Sequence, residues 1–165
     1  MKRLILVRHA KTEALTDAQS DFERKLKKRG HSDADLVARD LLVRALRPEV
    51  LISSPAVRAL QTADIFAGVL QVPVEGRHEA RFLYDGDTTA GMLEQLSRLA
   101  DGADTVMVVG HNPDMASLSM RLTQEHFFHF PTCAAVVISF DIESWDEMNV
   151  GMGRSEYFIY PKALK

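Results

Sequence analysis

The sequence has one cysteine, Cys133, in 165 residues. Without a second thiol there is no internal disulfide and no cysteine-rich metal site, and a reducing, cytoplasmic setting fits such a chain. No apolar run approaches the roughly 20 residues that a membrane span needs, and the N-terminus enters a strand-like run without a signal-peptide pattern. The net charge of −3 lacks the basic excess usual in nucleic-acid-binding domains. No internal repeat, low-complexity segment or linker interrupts the chain. These absences lead us to expect one domain over residues 1–165, with no cofactor or metal and neither nucleic acid nor membrane as partner. A chain of this length can bury roughly 70% of its unfolded surface, enough for an unstapled core.

What the chain does have is short apolar runs alternating with helical patterns. Lys2 to Val7, Val50 to Ile52 and Thr105 to Val109 are mostly apolar and too short for helices, so they read as buried strands. A further short strand begins at Pro73-Val74. Ala34, Val37, Ala38, Leu41, Leu42 and Ala45 share one face at helical spacing, predicting a helix from about Leu26 to Leu46 with Gly30 as a weak point. Ser54-Pro55 reads as an N-cap with proline at the first helical position, opening a helix to about Leu70. Asn112-Pro113 repeats that signal for a helix to about Leu122. Met92, Leu93, Leu96 and Leu99 form the apolar stripe of a helix from Thr88 to Ala100. Ala134 to Phe140 and Glu156 to Tyr160 read as final strands that pair antiparallel. Alternating strands and helices predict an α/β fold, a mostly parallel (mixed) central sheet flanked by helices.

Three strand ends carry chemistry. The first ends in Arg8-His9, the second in Ser53-Ser54-Pro55 with Arg58 just beyond, and the third in Gly110-His111-Asn112-Pro113. In a parallel sheet these ends lie along one edge, where ligands bind. Two arginines and two histidines then converge, with Lys11 placed either beside them or in the solvated loop of residues 11 to 24. Two helix N-termini add partial positive charge and N–H donors. Such a site suits an anion, and phosphate or sulfate fits it, because arginine forks bind such groups bidentately. Binding alone does not need histidine. A neutral imidazole can attack phosphorus and form a covalent intermediate. We therefore expect His9 as nucleophile, Arg8 and Arg58 as phosphoryl clamps, and His111 as a hydrogen-bond donor that stabilises the transition state.

The segments "LVRHAKT", "SSPAVRALQTA" and "VVGHNP", in this order, resemble the three motifs of the histidine phosphatase superfamily, over residues 2 to about 122. The resemblance implies a phosphoglycerate-mutase-like three-layer α/β sandwich. "DFERKLKKRG", residues 21 to 30, resembles the acidic-x-x-Arg-x-Leu-x-x-x-Gly segment of the SixA-type phosphohistidine phosphatases, which implies a phosphate-binding role for Arg24. Lys25 and Lys27 depart from that pattern, replacing a frequent proline and threonine.

Larger relatives carry an acidic proton donor after the third strand and an inserted cap; here the interval from Arg77 to Gly102 is short, leaving little room for a cap, and no motif fixes the acid. Asp85 lies near the donor's expected place, with Glu79 and Asp87 as alternatives. The similarity implies hydrolysis of phosphohistidine on a signalling or phosphotransfer protein. A small-molecule phosphomonoesterase or mutase, or a non-catalytic phosphoprotein-binding module, are the alternatives. Phe127, Phe128 and Phe130 read as packing, His31 and His78 as surface residues, and Cys133 as a buried filler. His126 and His129 suggest neither a zinc site nor a part of the pocket. The run Arg24 to Arg29, five basic residues in six, is either a solvated face or a dock for an acidic protein.

Overall fold

Strand formation follows the apolar runs, and the side-chain alternation of each strand sorts its residues onto two faces. In the computed structural model, which describes residues 1–126 and 129–165, six strands form one sheet: β1 (Lys2–Arg8), β2 (Val50–Ser53), β3 (Arg77–Glu79), β4 (Thr105–Gly110), β5 (Ala135–Phe140) and β6 (Arg154–Ile159). Their order is β3-β2-β4-β1-β5-β6. β1 to β4 run parallel and β5 is antiparallel to both of its neighbours, so the sheet is mixed as expected.

Helices cover both faces. Leu4 and Leu6 of β1 and Val106 and Val108 of β4 pack on one side with Met92, Leu96, Met115 and Leu118. Those residues come from α4 (Thr89–Ala100) and α5 (Asp114–Thr123). Ile5, Val7, Met107 and Val109 face the other side, against Val37, Leu41, Ala63 and Phe66. That layer is α1 (Lys28–Val43) and α2 (Val57–Leu70). The result is the three-layer sandwich. A four-residue helix, α3 (Phe82–Asp85), links β3 to α4; no periodic pattern marked it. No helix among the described residues is long and apolar enough to cross a membrane.

Local differences have local causes. Gly30 lies inside α1, where a Cβ would stand 2.2 Å from the Lys11 carbonyl oxygen, so it marks a close approach and not a break. Residues 74–76 form a 3-10 turn, and β3 starts at Arg77. The α2 cap expected at Ser54 falls at Ala56, with no side-chain cap. Ser54 instead accepts from the Ala56 N–H at 3.2 Å and turns its hydroxyl toward His111. Phe130 packs in the core and Cys133 is buried, whereas Phe127 and Phe128 lie outside the described residues.

The register sets the site. Arg8 stands opposite Gly110, and Ser53 opposite Val109. The carboxyl ends of β1, β2 and β4 are therefore level, and the residues that follow them meet.

Candidate active site

Arg8, His9, Lys11, Arg24, Arg58 and His111 line one cavity of about 560 Å³, together with Asp21, Thr12, Lys27, Asn112 and Thr132. The convergence starts at the end of β1. The Cys133 N–H donates to the carbonyls of Arg8 and His9, each at 3.0 Å. The Ala10 N–H donates to Thr62 Oγ1 on α2 at 3.0 Å, and the Thr62 hydroxyl donates to the Arg58 carbonyl at 2.8 Å. This chain ties the loop carrying His9 to the helix turn carrying Arg58.

The protonation of His9 is set from both sides of its ring. Nδ1 lies 2.9 Å from the Ala10 carbonyl oxygen, which can only accept, so Nδ1 carries the hydrogen. Nε2 faces Arg58 Nε at 3.4 Å, and a guanidinium can only donate. The Nε2 lone pair therefore points into a cationic cavity. Burial first, then the charges of His111, Arg58 and Arg8, push the His9 pKa down to about 3 against the raising effect of the Ala10 bond. His9 is therefore neutral at neutral pH, with Nε2 unprotonated.

The His111 ring centroid lies 5.2 Å from that of His9. Its Nε2 is 2.8 Å from Ser54 Oγ, while its Nδ1 is buried without a hydrogen-bond partner among the described residues. Burial, with the charges of Arg58, Arg8 and Arg24, lowers its pKa to about 4, although Asp21 pulls it upward. Without an anion both histidines are thus neutral. A dianion in the cavity favours the imidazolium and raises the His111 pKa. Sulfate, which remains a dianion in this range, is therefore expected to bind with proton uptake. Its affinity should rise as pH falls from 7 toward 5, read by calorimetry in two buffers of different ionisation heat; a flat profile contradicts this. In the absence of an anion, the unfolded chain binds more protons than the folded one between those low values and about 6.5, so stability falls as pH drops through that window.

Arg8 is half-buried, and its Nη1 donates to the Phe130 carbonyl at 3.1 Å while Nε has no hydrogen-bond partner among the described residues. Desolvation lowers its pKa. The Asn112 amide donates to the same carbonyl at 2.9 Å. Arg24 is held by the Glu13 carbonyl (3.2 Å) and Thr12 Oγ1 (2.6 Å). The two helix N-termini differ from expectation. The Val57 N–H donates to the Phe22 carbonyl (3.0 Å), Met115 N–H to the His111 carbonyl (2.9 Å) and Ala116 N–H to Asn112 Oδ1 (3.3 Å). Those donors are engaged within the fold, so these helices offer an anion their dipoles and not these N–H groups.

Asp21 and Tyr84 joined the site without a sequence role. Asp21 Oδ2 accepts from Arg58 Nη2 (3.1 Å) and the Tyr84 hydroxyl (2.9 Å), Oδ1 accepts from Arg24 Nη1 (3.1 Å), and its carbonyl accepts from Arg58 Nη1 (2.6 Å). Desolvation pushes the Asp21 carboxyl up, but the bonds from Tyr84, Arg24 and Arg58 and the Arg58 charge outweigh it and hold the pKa at about 2. Asp21 is the acidic position of the "DFERKL" segment, three residues before Arg24; that spacing was the available signal. Tyr84 sits on α3, its ring edge-on to His111 at 5.6 Å. Asp21→Asn keeps the shape and removes the charge that aligns both arginines. Because misplacing a clamp by about 1 Å can cost roughly 10²-fold, we expect a kcat/KM loss of about 10- to 100-fold with unchanged fold by circular dichroism. A loss under twofold contradicts a positioning role.

Asp85 does not line the cavity. It is exposed on α3, and both of its carboxylate oxygens accept from Arg81 Nε at 3.2 Å. Glu79 lies on β3 at the sheet edge, and Asp87 is engaged by the Thr88 N–H and Gln95. Cys133 is buried behind the site, where desolvation raises its pKa, as suits a filler. His129 stacks edge-on to Tyr160 outside the cavity.

The chain matches the family model of the histidine phosphatase superfamily (branch 1) over residues 4–82. It is 31% identical over 116 residues to an uncharacterized protein of Mycobacterium tuberculosis, across 70% of this chain and 69% of that one. Among solved structures, it is similar to the protein histidine phosphatase SixA complexed with tungstate, with a TM-score of 0.85 and 26% identity over 99% of both chains. An Entamoeba histolytica phosphoserine phosphatase in complex with phosphoserine shares the fold, at a TM-score of 0.65 and 18% identity over 96% of both chains.

Proposed function

Because the chain belongs to the histidine phosphatase superfamily, in its SixA-like branch, and is by that membership a phosphatase, we propose that it hydrolyses phosphohistidine on a signalling or phosphotransfer protein through a covalent intermediate on His9. The observation that carries the chemistry is the His9 Nε2 lone pair facing Arg58 inside a cationic cavity. In the first step Nε2 attacks phosphorus in line, the N–P bond of the substrate breaks, and the substrate imidazole leaves neutral because its other nitrogen already holds a proton. His9 becomes an imidazolium, its Nδ1–H still on the Ala10 carbonyl. In the second step water attacks the same phosphorus, the bond to Nε2 breaks, and the water proton leaves on the phosphate product or to solvent. Arg8, Arg24 and Arg58 bind the phosphoryl oxygens, and His111 donates to them once the dianion has raised its pKa. Positioning and charge stabilisation supply most of such catalysis.

The substrate class follows from the leaving group. An alkoxide needs a proton on departure, whereas imidazole, with a pKa of roughly 6.5, leaves without one from a protonated ring. Asp21, held at about 2, is ionised and cannot deliver a proton at neutral pH, and Asp85 is engaged by Arg81 outside the cavity. Glu13, the other carboxylate at the cavity, accepts from the Lys25 N–H at 3.1 Å, and proton delivery is here assigned to no carboxylic acid. Between β3 and α4 the chain forms only the four residues of α3 as a helix, too little for an inserted cap, which suits a bulky protein substrate. With one enzyme preparation, a phosphohistidine peptide is expected to be turned over at least about 10²-fold faster in kcat/KM than alkyl phosphates, the scale of a missing general acid. Equal rates on the two, or a preference for phosphotyrosine peptide, would overturn the assignment.

A further inference from the structure

The cavity holds three arginines for one phosphoryl group, yet the positive charge extends beyond it. Lys27 and Lys11 are exposed and line the catalytic cavity. Next to it lies a second cavity of about 460 Å³, lined by Arg29 and Lys162 among others, and Thr132 is a wall of both. Lys28, also exposed, lies between Lys27 and Arg29 in the chain. Among the described residues, Lys11, Lys27, Lys28 and Lys162 enter no ion pair. The acidic group of the second cavity is Asp33, which is buried and already neutralised by Lys165 at 2.8 Å and Arg29 at 3.5 Å. On a chain of net charge −3, a basic face whose four lysines enter no ion pair among the described residues, at the mouth of a cavity whose carboxylates are Asp21 and Glu13, has a local purpose. Its cations lie outside the arginine cluster that a phosphoryl group occupies, so they act on something larger that carries it.

We propose that this face, Lys11, Lys27, Lys28, Arg29 and Lys162, docks the acidic surface of a protein around its phosphohistidine, with carboxylates of that partner entering the second cavity. The inference rests on the phosphohistidine-protein reading above and adds what the partner must look like. Charge complementarity of this kind raises the association rate and is screened by salt.

Two synthetic peptides of 20 residues test it, each with one central phosphohistidine, flanked by glutamates in one and serines in the other. At low salt the glutamate-flanked peptide is expected to show a kcat/KM about tenfold or more higher. The advantage should vanish near 1 M salt, where the screening length is about 3 Å, and in the Lys28→Glu/Lys162→Glu variant. Arg29 stays in place because it also holds buried Asp33. The variant should hydrolyse the serine-flanked peptide as the native chain does. Turnover independent of the flanks, or an advantage that survives in the variant, overturns the docking surface. So does a single-stranded DNA of equal charge competing more strongly than the glutamate-flanked peptide. If neither peptide is hydrolysed, the phosphohistidine reading fails. Fluorescence anisotropy of the same peptides on His9→Ala still reads docking on its own, as tighter binding of the glutamate-flanked peptide or as none.

Discussion

His9→Ala is expected to lower kcat by roughly 10⁵-fold, the scale seen when a covalent nucleophile is removed. The ring is buried at 7% exposure, its Nδ1–H is fixed on the Ala10 carbonyl and its Nε2 is aimed at the arginine cluster. His111, the other imidazole in reach, is turned to Ser54 and cannot take over. His9→Asn separates chemistry from architecture, because its amide can still donate toward the Ala10 carbonyl while offering no nucleophilic nitrogen. Both variants should be equally inactive, with Asn closer to native thermal stability. Residual activity above about 1% in either one contradicts nucleophilic catalysis at this position.

Arg58→Ala is expected to lower kcat by about 10³-fold or more, in line with removal of a guanidinium that stabilises a transferring phosphoryl group. Arg58 is 6% exposed and reaches three places at once: His9 Nε2, the Asp21 carbonyl and the Asp21 carboxylate. Its loss removes a clamp and frees Asp21 from the neighbour that helps to hold its pKa down. The loss should fall mainly on kcat, because the charge it meets is greatest in the transition state. Arg58→Lys restores a point charge but not the planar fork, and should recover at most about tenfold. Recovery to near-native activity by lysine would show that bidentate geometry is not needed.

Much of this site was legible because strands end abruptly. A fully apolar run cannot continue through Arg8-His9 or Gly110-His111, and parallel pairing puts such ends on one edge. Helical spacing of apolar residues likewise marks the buried faces of α1 and α4, with Ala34, Val37, Ala38 and Leu41 on one and Met92, Leu93 and Leu96 on the other. Asp21 and Tyr84 were not legible as site residues. One sits in a loop and the other on a four-residue helix, where no periodicity shows which way a side chain turns. Asp85 drew attention by being the acid nearest the expected place, yet one residue's difference along α3 decides the contact. Tyr84 reaches Asp21 while Asp85 turns to Arg81. Ser54 read as a helix cap because its residue type and the following proline fit that role. Its partner, His111, is 57 residues away, beyond any local signal.

Every step proposed above passes through a phosphoryl group carried on one nitrogen of one histidine. Rapid quenching of His111→Ala with a labelled phosphohistidine peptide, followed by peptide mass spectrometry, tests it directly. That variant keeps His9 and is expected to slow turnover. The expected result is an acid-labile, base-stable phosphoryl group on Nε2 of His9. A label on another residue, or continued turnover with no label on the protein at any time, would contradict it.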